Sequence, residues 1–421
     1  MLCIATIVSA NYLAYAKTLV DSVRIWEPGA VVRVLIVDRD DPEVRHAIAE
    51  LGLNVVFAQD LGIPDFEEVA FKYDIVELNT ALKPTFLKSL LAEGFEQVWY
   101  MDPDIQVFRE VQPIRKALET SSIALTPHSL APVMDGRRPS DIDFLRTGSY
   151  NLGFIAVKSS KESKKMLDWW ESRCLSYGFN DLGFGTFVDQ KWMDLVPAYF
   201  SEVAIVKDPG CNVAYWNLHE RDLSETNGSV TVNGEPLYFF HFSGVRAENP
   251  SVLSKHQTRH QIFAGSILAR LVDNYCRCLV SNGHARYSQI AYSFGTFDDG
   301  LSVSSSVRRA ATFIGNTSVS PFSARGALRV KLDRKRLIAA GRKSSARMTT
   351  LNFPADSLKV VWTNRFVRGL VMLLGIDRVA ELIRYLSVLN REANLLRVVT
   401  KKPLEFSHDE RYSRNPTRYD S

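Results

Sequence analysis

Several absences narrow this sequence before any motif is considered. None of its apolar runs approaches the roughly 18–20 residues that a membrane-crossing helix needs. The opening stretch Met1-Leu2-Cys3-Ile4-Ala5-Thr6-Ile7-Val8 carries no basic leader, the first lysine being Lys17, so a secretory signal is not expected. Cysteine is sparse: Cys3, Cys174, Cys211, Cys276 and Cys278 are odd in number and have no metal-ligand spacing. A reduced, cytoplasmic setting fits that usage. No internal repeat is visible. With 46% hydrophobic and 23% charged residues, the chain is neither disordered nor fibrous. At 421 residues, two or three folded units are expected.

Net charge is also small, +4 from 51 basic and 47 acidic residues. It is unevenly distributed. From Gly315 onward there are 21 Lys/Arg against 9 Asp/Glu, and before it 30 against 38. A mildly acidic body carries a basic tail.

Strand and helix patterns alternate through the first hundred residues. Residues 3–9, 31–37, 53–58 and 97–101 read as strands, and 12–25 and 79–92 as helices; Asp41-Pro42-Glu43 opens another helix. Further strands are expected at 151–157, 201–207 and 237–242, and helices at 161–177 and 254–280. Such alternation predicts an α/β fold with a mostly parallel sheet covered by helices on both faces. Ligands then bind beyond the carboxyl ends of the strands. Residues 281–350 are weakly periodic and 402–421 polar. The expected organisation is a catalytic domain at 1–250, a helical and irregular extension at 251–350, and a basic amphipathic helical tail with a disordered end at 351–421.

The central motif is Val98-Trp99-Tyr100-Met101-Asp102-Pro103-Asp104-Ile105-Gln106. Positions i and i+2 of an extended chain point the same way, so both carboxylates can face one ion. Negative charge at a buried strand end demands a cation, and hard Mn²⁺ or Mg²⁺ suits carboxylate oxygens. A phosphatase of the haloacid-dehalogenase type would carry its Asp-x-Asp after the first strand, with Thr or Val where Gln106 stands. The bland alternative is a solvated turn. A second strand, Tyr238-Phe239-Phe240-His241-Phe242, ends in Ser243-Gly244, with Arg246 close by. His241 is either a core histidine or the third ligand beside the two aspartates.

Five ordered stretches resemble glycosyltransferases of the GT-A fold, closest to family eight, the retaining group that includes glycogenin and bacterial lipopolysaccharide galactosyltransferases. They are Ile7-Val8-Ser9-Ala10-Asn11-Tyr12, Leu82-Lys83-Pro84, Asp102-Pro103-Asp104, Asn151-Leu152-Gly153-Phe154 with Asp189-Gln190, and His241-Phe242-Ser243-Gly244. The resemblance covers roughly residues 1–260 and implies a Rossmann-like GT-A sheet. It implies that Asp102, Asp104 and His241 hold Mn²⁺ or Mg²⁺ against the diphosphate of a nucleotide sugar, a UDP-hexose by expectation. Ile7, Ser9, Asn11, Tyr12 and Asp38 would line the base and ribose pocket, with Gly244 and Arg246 at the phosphates. Lys83 would neutralise phosphate or touch the sugar. Asn151 and Gly153 would shape the wall beside it, and Asp189 with Gln190 would hydrogen-bond its hydroxyls near the reacting carbon. The sequence departs from the family at Ser9, often acidic there, and after Gly244, where Lys-Pro-Trp is usual.

Hexose transfer to a glycan or lipid-linked acceptor, with retention, in bacterial surface polysaccharide or lipopolysaccharide synthesis is therefore expected. The rivals are a nucleotidyltransferase, which would need a glycine-rich basic loop after the first strand, and a non-catalytic scaffold. Trp169-Trp170 reads as core, the Tyr215–Arg221 loop as core or acceptor contact, and His256, Arg259, His260 with Cys276-Arg277-Cys278 as a helix surface; Asp298-Asp299-Gly300 reads as a turn. In the tail, Val379, Leu382, Leu386, Leu389, Ala393 and Leu396 step by three and four. Asp377 is its N-cap, and Arg365, Arg368, Arg378, Arg384, Arg391, Arg397, Lys401 and Lys402 surround it. This segment docks on the body, lies on the inner face of an anionic membrane, or meets a partner helix. No motif supports nucleic acid as a partner.

Overall fold

The computed structural model describes residues 1–133, 135–314, 320–335, 337–338 and 358–374, together with 379, 382 and 386. The expected Asp377 cap, the seam positions Leu389, Ala393 and Leu396, and the polar end lie outside the described residues. Two compact units are present, Met1–Val69 with Ile75–Phe294, and Ala70–Asp74 with Gly295–Ser421. None of the five cysteines is joined in a disulfide. Among the described residues no helix is long and apolar enough to cross a membrane.

The first unit is built on β1 (Leu2–Val8), β2 (Val31–Ile36), β3 (Val55–Phe57), β4 (Gln97–Met101), β5 (Ile105–Val107), β6 (Ile123–Pro127) and β7 (Tyr150–Lys158). With the strand Val203–Ile205 at one edge, the main sheet runs Val203–Ile205, β6, β7, β4, β1, β2, β3. All neighbours are parallel except β7, which is antiparallel to both β4 and β6. β1 is buried along its whole length, as a parallel strand covered on both faces must be. Leu2 and Ile4 of β1, Trp99 and Met101 of β4, and Phe154 and Ala156 of β7 share one core, which is the two-residue period of strands seen across three neighbours.

The reversed strand positions the site. Because β7 runs against β4, its beginning meets the end of β4, with Met101 opposite Phe154. The Asp102 N–H donates to the Gly153 carbonyl at 2.7 Å. β5 leaves the main sheet and pairs antiparallel with Phe239–His241, Ile105 facing His241.

Three expectations change. The helix at 79–92 is two helices, Ile75–Ala81 and Lys83–Ala92. Pro84, without an N–H, stands in the first turn of the second, where no donor is needed. The helix at 254–280 is confined to Ile267–Ser281, capped by Ser266, whose side chain accepts from Ala269 N–H. Upstream, side chains compete for the backbone: Ser254 Oγ accepts from His256 N–H, and Gln257 Oε1 from the N–H groups of Arg259 and His260. His256, Arg259 and His260 therefore sit on a loop and not on a helix surface. Arg259 binds Asp135 through two donors at 2.7 and 2.9 Å and the Pro139 carbonyl at 2.8 Å. Finally, the weakly periodic stretch after 281 contains the helices His284–Tyr287, Ser305–Ile314 and Ala327–Arg334. In the second unit, buried Arg308 gathers the carbonyls of Ala70, Phe71 and Tyr73 at 2.9–3.1 Å.

The helix Pro42–Leu51 starts as read: Asp41 accepts from the N–H groups of Glu43 and Val44 at 2.9 and 3.0 Å. Asp41→Ala should lower stability by about 1 kcal/mol, measured as a shift of the urea midpoint of the first unit.

Candidate active site

At the carboxyl end of β4 the chain turns, Ile105 N–H donating to the Asp102 carbonyl at 3.0 Å. The turn directs the Asp102 and Asp104 carboxylates to one side. Phe242 N–H donates to the Asp104 carbonyl at 2.8 Å and His241 N–H to the Val213 carbonyl at 2.8 Å, which locks the third group in register. His241 Nε2 lies 2.9 Å from Asp104 Oδ1 and 3.7 Å from Asp102 Oδ2. One ligand atom from each of the three lies within 4.8 Å of the others. Two carboxylate oxygens and one imidazole nitrogen make a donor set that suits Mn²⁺ or Mg²⁺. Burial alone would lower the His241 pKa; Asp104 and Asp102 outweigh it and raise it.

Gly153 is required by this arrangement. A Cβ there would stand 2.2 Å from His241 Cε1 and 2.6 Å from Nδ1. Gly244 is also constrained, with φ of +81° and a Cβ position 2.4 Å from Ser254 Oγ.

Behind the carboxylates lies a buried ion pair. Lys83 Nζ is 2.7 Å from Asp189 Oδ2 and 3.9 Å from Asp102 Oδ1. It donates to the Leu152 carbonyl at 2.7 Å and stands 4.1 Å from the centre of the Tyr100 ring. Burial pushes the Asp189 carboxyl up, and Lys83 opposes that rise. Two aromatic residues steady the group. Tyr100 donates its hydroxyl to Asp102 Oδ1 at 2.7 Å, and Trp170 Nε1 donates to the Asp189 carbonyl at 3.1 Å.

A buried amide network supports the other side. Asn151 Oδ1 accepts from Gly153 N–H and from Asn212 Nδ2, both at 3.1 Å. Gln190 Oε1 accepts from Leu152 N–H at 3.1 Å while its Nε2 donates to the Thr147 carbonyl at 2.9 Å. Asn212 Nδ2 also reaches Thr126 Oγ1 at 2.8 Å, and Asn217 Nδ2 donates to the carbonyls of Asn212 and His128 at 3.0 and 3.2 Å. His128 Nε2 lies 3.3 Å from Asn151 Nδ2, and its ring stacks on Phe144 at 5.4 Å. Trp216 stands edge-on between His128 and His241, with centroid distances of 5.4 and 5.0 Å. Burial lowers the His128 pKa to about 4, so its ring is neutral and Nε2 can accept from Asn151.

The nucleotide-side candidates gather around the end of β1. Ile7 is buried in the strand, and Ser9 Oγ donates to Asn11 Oδ1 at 2.6 Å. Tyr12 is exposed and stacks on Tyr15 at 4.6 Å. Partial packing of the ring, then Asp104, raises the Tyr12 pKa, and Arg246, itself exposed, acts against them. The Asp38 carboxylate accepts from Ala10 N–H at 2.7 Å and from Ser293 N–H and Oγ–H at 2.7 and 2.9 Å.

Sequence reasoning missed Tyr100, His128, Asn212, Asn217 and Ser293. Asn212 offered one signal: it follows Asp208-Pro209-Gly210 and adopts φ of 53°, a conformation asparagine tolerates better than most residues. Trp170 is core as expected, and it also anchors Asp189. Trp216 is buried, whereas Asp298-Asp299-Gly300 is a turn closed by Gly300 N–H to the Phe297 carbonyl.

The model of the nucleotide-diphospho-sugar transferase family matches residues 30–207. Over that segment the chain resembles nucleotide-diphospho-sugar transferases. Two Bacillus subtilis (strain 168) proteins are similar to it, both uncharacterized: YfnF at 29% identity over 57% of this chain and 80% of its own length, and YfnD at 27% over 57% and 76%. Among solved structures, the galactosyltransferase LgtC in complex with donor and acceptor sugar analogues aligns with 66% of this chain and 95% of its own, at 16% identity and a TM-score of 0.42. Streptococcus pneumoniae TIGR4 GlyE aligns with 70% and 66%, at 11% identity and 0.39.

Two outcomes follow from this geometry. Gly153→Ala should displace the His241 ring and lower stability by about 1–3 kcal/mol, read by chemical denaturation beside the imidazole NMR signals. For His128, the folded pKa lies below the unfolded value of 6.5. The unfolded chain therefore binds more protons between the two, and stability falls as pH drops from about 6.5 towards 4. Denaturation at stepped pH should show a shallower acid loss in His128→Gln.

Proposed function

We propose that the enzyme transfers a hexose from a nucleotide-diphosphate sugar, UDP-linked, to a glycan or lipid-linked acceptor, with retention of anomeric configuration. Bacterial surface polysaccharide or lipopolysaccharide synthesis, at the inner face of the membrane, is the proposed setting. The observation that carries this reading is the convergence of Asp102, Asp104 and His241 in front of the Lys83–Asp189 pair, within a chain matched by the nucleotide-diphospho-sugar transferase family.

Cleavage of the bond between the anomeric carbon and the diphosphate leaves negative charge on the phosphate oxygens. A divalent ion, Mn²⁺ or Mg²⁺, held by Asp102, Asp104 and His241 would supply Lewis-acid stabilisation of that charge. Lys83 adds positive charge from beneath the carboxylates, and exposed Arg246 adds it from the solvent side. Tyr12, with Ser9 and Asn11, faces the base, and Ile7 and Asp38 hold that turn in place. Gly244 admits the phosphates close to the backbone. Asp189 stands beside the anomeric centre, where a carboxylate balances oxocarbenium character. Asn151, Gly153 and Gln190 form the wall that orients the sugar. A cleft of about 370 Å³ lined by Ser129, Leu130, Pro132, Asp141, Phe144 and Ser149 is the proposed acceptor side, next to His128.

Asp102→Ala and Asp104→Ala should each reduce transfer at least about a hundredfold with the far-UV circular dichroism unchanged. The decisive assay is Mn²⁺-dependent hydrolysis of UDP-, GDP- and dTDP-sugars without acceptor. Turnover of the UDP-sugar alone supports the reading; inertness of every donor points to a non-catalytic scaffold, and full activity in excess chelator removes the metal from it. Metal binding must displace a proton from His241, whose pKa is raised. Mn²⁺ affinity measured by calorimetry should therefore weaken as pH falls through that range.

A further inference from the structure

The hydroxyl of Tyr100 acts on the candidate metal face in a way that the three ligands alone do not explain. Tyr100 is buried in β4, two positions before Asp102. Side chains two apart in extended chain stand on the same face, so the phenol can reach the carboxylate. It donates to Asp102 Oδ1 at 2.7 Å. Lys83 Nζ, 4.1 Å from the centre of the same ring, lies 3.9 Å from the same oxygen. A hydrogen-bond donor and a positive charge are thus both directed at Oδ1. The other oxygen is the one turned towards the remaining ligands. Asp102 Oδ2 is 3.7 Å from His241 Nε2, and Asp104 Oδ1 is 2.9 Å from that nitrogen.

This division fixes how many donors Asp102 can offer. A carboxylate binds a cation through one oxygen or through both. An oxygen that already accepts an O–H and faces an ammonium is a poor second donor, so Asp102 presents Oδ2 alone. Small octahedral ions such as Mg²⁺ and Mn²⁺ are satisfied by single oxygens and complete their shell with water and phosphate. Ca²⁺ is larger, takes roughly six to eight oxygens and readily uses both oxygens of one carboxylate. Reserving Oδ1 therefore handicaps Ca²⁺ more than the smaller ions.

We propose that Tyr100 is a positioning residue for the metal: its hydroxyl reserves Asp102 Oδ1, turns Oδ2 towards Asp104 and His241, and so selects Mn²⁺ or Mg²⁺ over Ca²⁺. This rests on the metal reading given under the proposed function and adds to it the residue that discriminates between ions. Tyr100 acts through Asp102 and touches neither ion nor donor. Its ring serves separately, as a neighbour of Lys83 and as the strand partner of Ala5 on β1 and Ile155 on β7. Tyr100→Phe keeps that ring and removes the hydroxyl alone.

The test titrates MnCl₂ and CaCl₂ separately into the full chain by calorimetry and records the electron paramagnetic resonance spectrum of bound Mn²⁺. The parent should bind Mn²⁺ at least about tenfold more tightly than Ca²⁺. In Tyr100→Phe, Mn²⁺ affinity should fall about tenfold. Ca²⁺ should lose less or gain, so that the preference shrinks by about threefold or more, and the Mn²⁺ spectrum should change. Ile155→Val, opposite Tyr100 on β7, loosens the same packing but retains the hydroxyl, and it should keep the parent's preference and spectrum. Equal losses for both ions in Tyr100→Phe would mark a merely looser site and overturn the proposal. So would a parent that does not discriminate, a reading that needs no variant to fold, or an Ile155→Val that shifts the preference as far as Tyr100→Phe does. A parent that binds neither ion would sink the metal reading itself, whereas a parent that binds Mn²⁺ and is matched by Tyr100→Phe for both ions would sink this inference alone.

Discussion

One buried ammonium group governs the charge balance of the whole site. Lys83, 1% exposed, is the only cation in contact with Asp189 among the described residues, and it lies close enough to Asp102 to act on it as well. Burial pushes the Asp189 carboxyl up, and the Lys83 ammonium opposes that rise. The Leu152 carbonyl and the Tyr100 ring complete the shell around the ammonium. The arithmetic then points outward. Asp189 is neutralised from within, while Asp102 and Asp104 remain partly open to solvent with only His241 and a more distant Lys83 beside them. The open face thus carries excess negative charge, which repels a diphosphate unless a cation comes with it. On the proposed function, donor and metal would for that reason bind as a pair.

The legible parts of the fold were those dictated locally. The β-branched run after residue 31, the acidic cap at Asp41 and the strand before Asp102 each follow from hydrophobic period or capping chemistry, and the structure places all three within a residue or two of the reading. The pairing of Asp102 and Asp104 was expected from the i, i+2 spacing of an extended chain, but the structure brings the two carboxylates together by a turn closed from Ile105 N–H to the Asp102 carbonyl. Partners that depend on tertiary approach were not legible. Nothing adjacent to Asn212 tells that its amide will meet Asn151, or that Ser293 will reach back to Asp38 across more than 250 positions. The helix read at 254–280 failed for a more specific reason: Ser254 and Gln257 offer the backbone nearby acceptors, and those local bonds displace the helical ladder. The apolar period alone did not register that competition.

Gly153 joins the two halves of the site. Its carbonyl receives the Asp102 N–H, its own N–H is held by Asn151, and its missing side chain is the space that the His241 ring occupies. A strand running parallel to β4 would have presented its far end here; reversing β7 delivers Asn151, Leu152 and Gly153 to the sheet edge where the carboxylates emerge. The amide network around Asn212, Asn217 and His128 therefore acts on the Asp102–Asp104–His241 cluster indirectly, by fixing the short segment against which His241 rests.

The opposite end of the site depends on residues far downstream of the matched family segment. That segment ends at residue 207, yet His241 supplies the third candidate ligand and Ser293 holds Asp38. With both oxygens of Asp38 already engaged by Ala10 and Ser293, the carboxylate serves first to fix the turn from Ser9 to Tyr12. On the proposed function, base selection would fall to what that turn exposes, the Tyr12 ring. Because Ser9 is buried and gives its hydroxyl hydrogen to Asn11 Oδ1, that pair serves, like Asp38, to hold the turn on which the Tyr12 ring is carried.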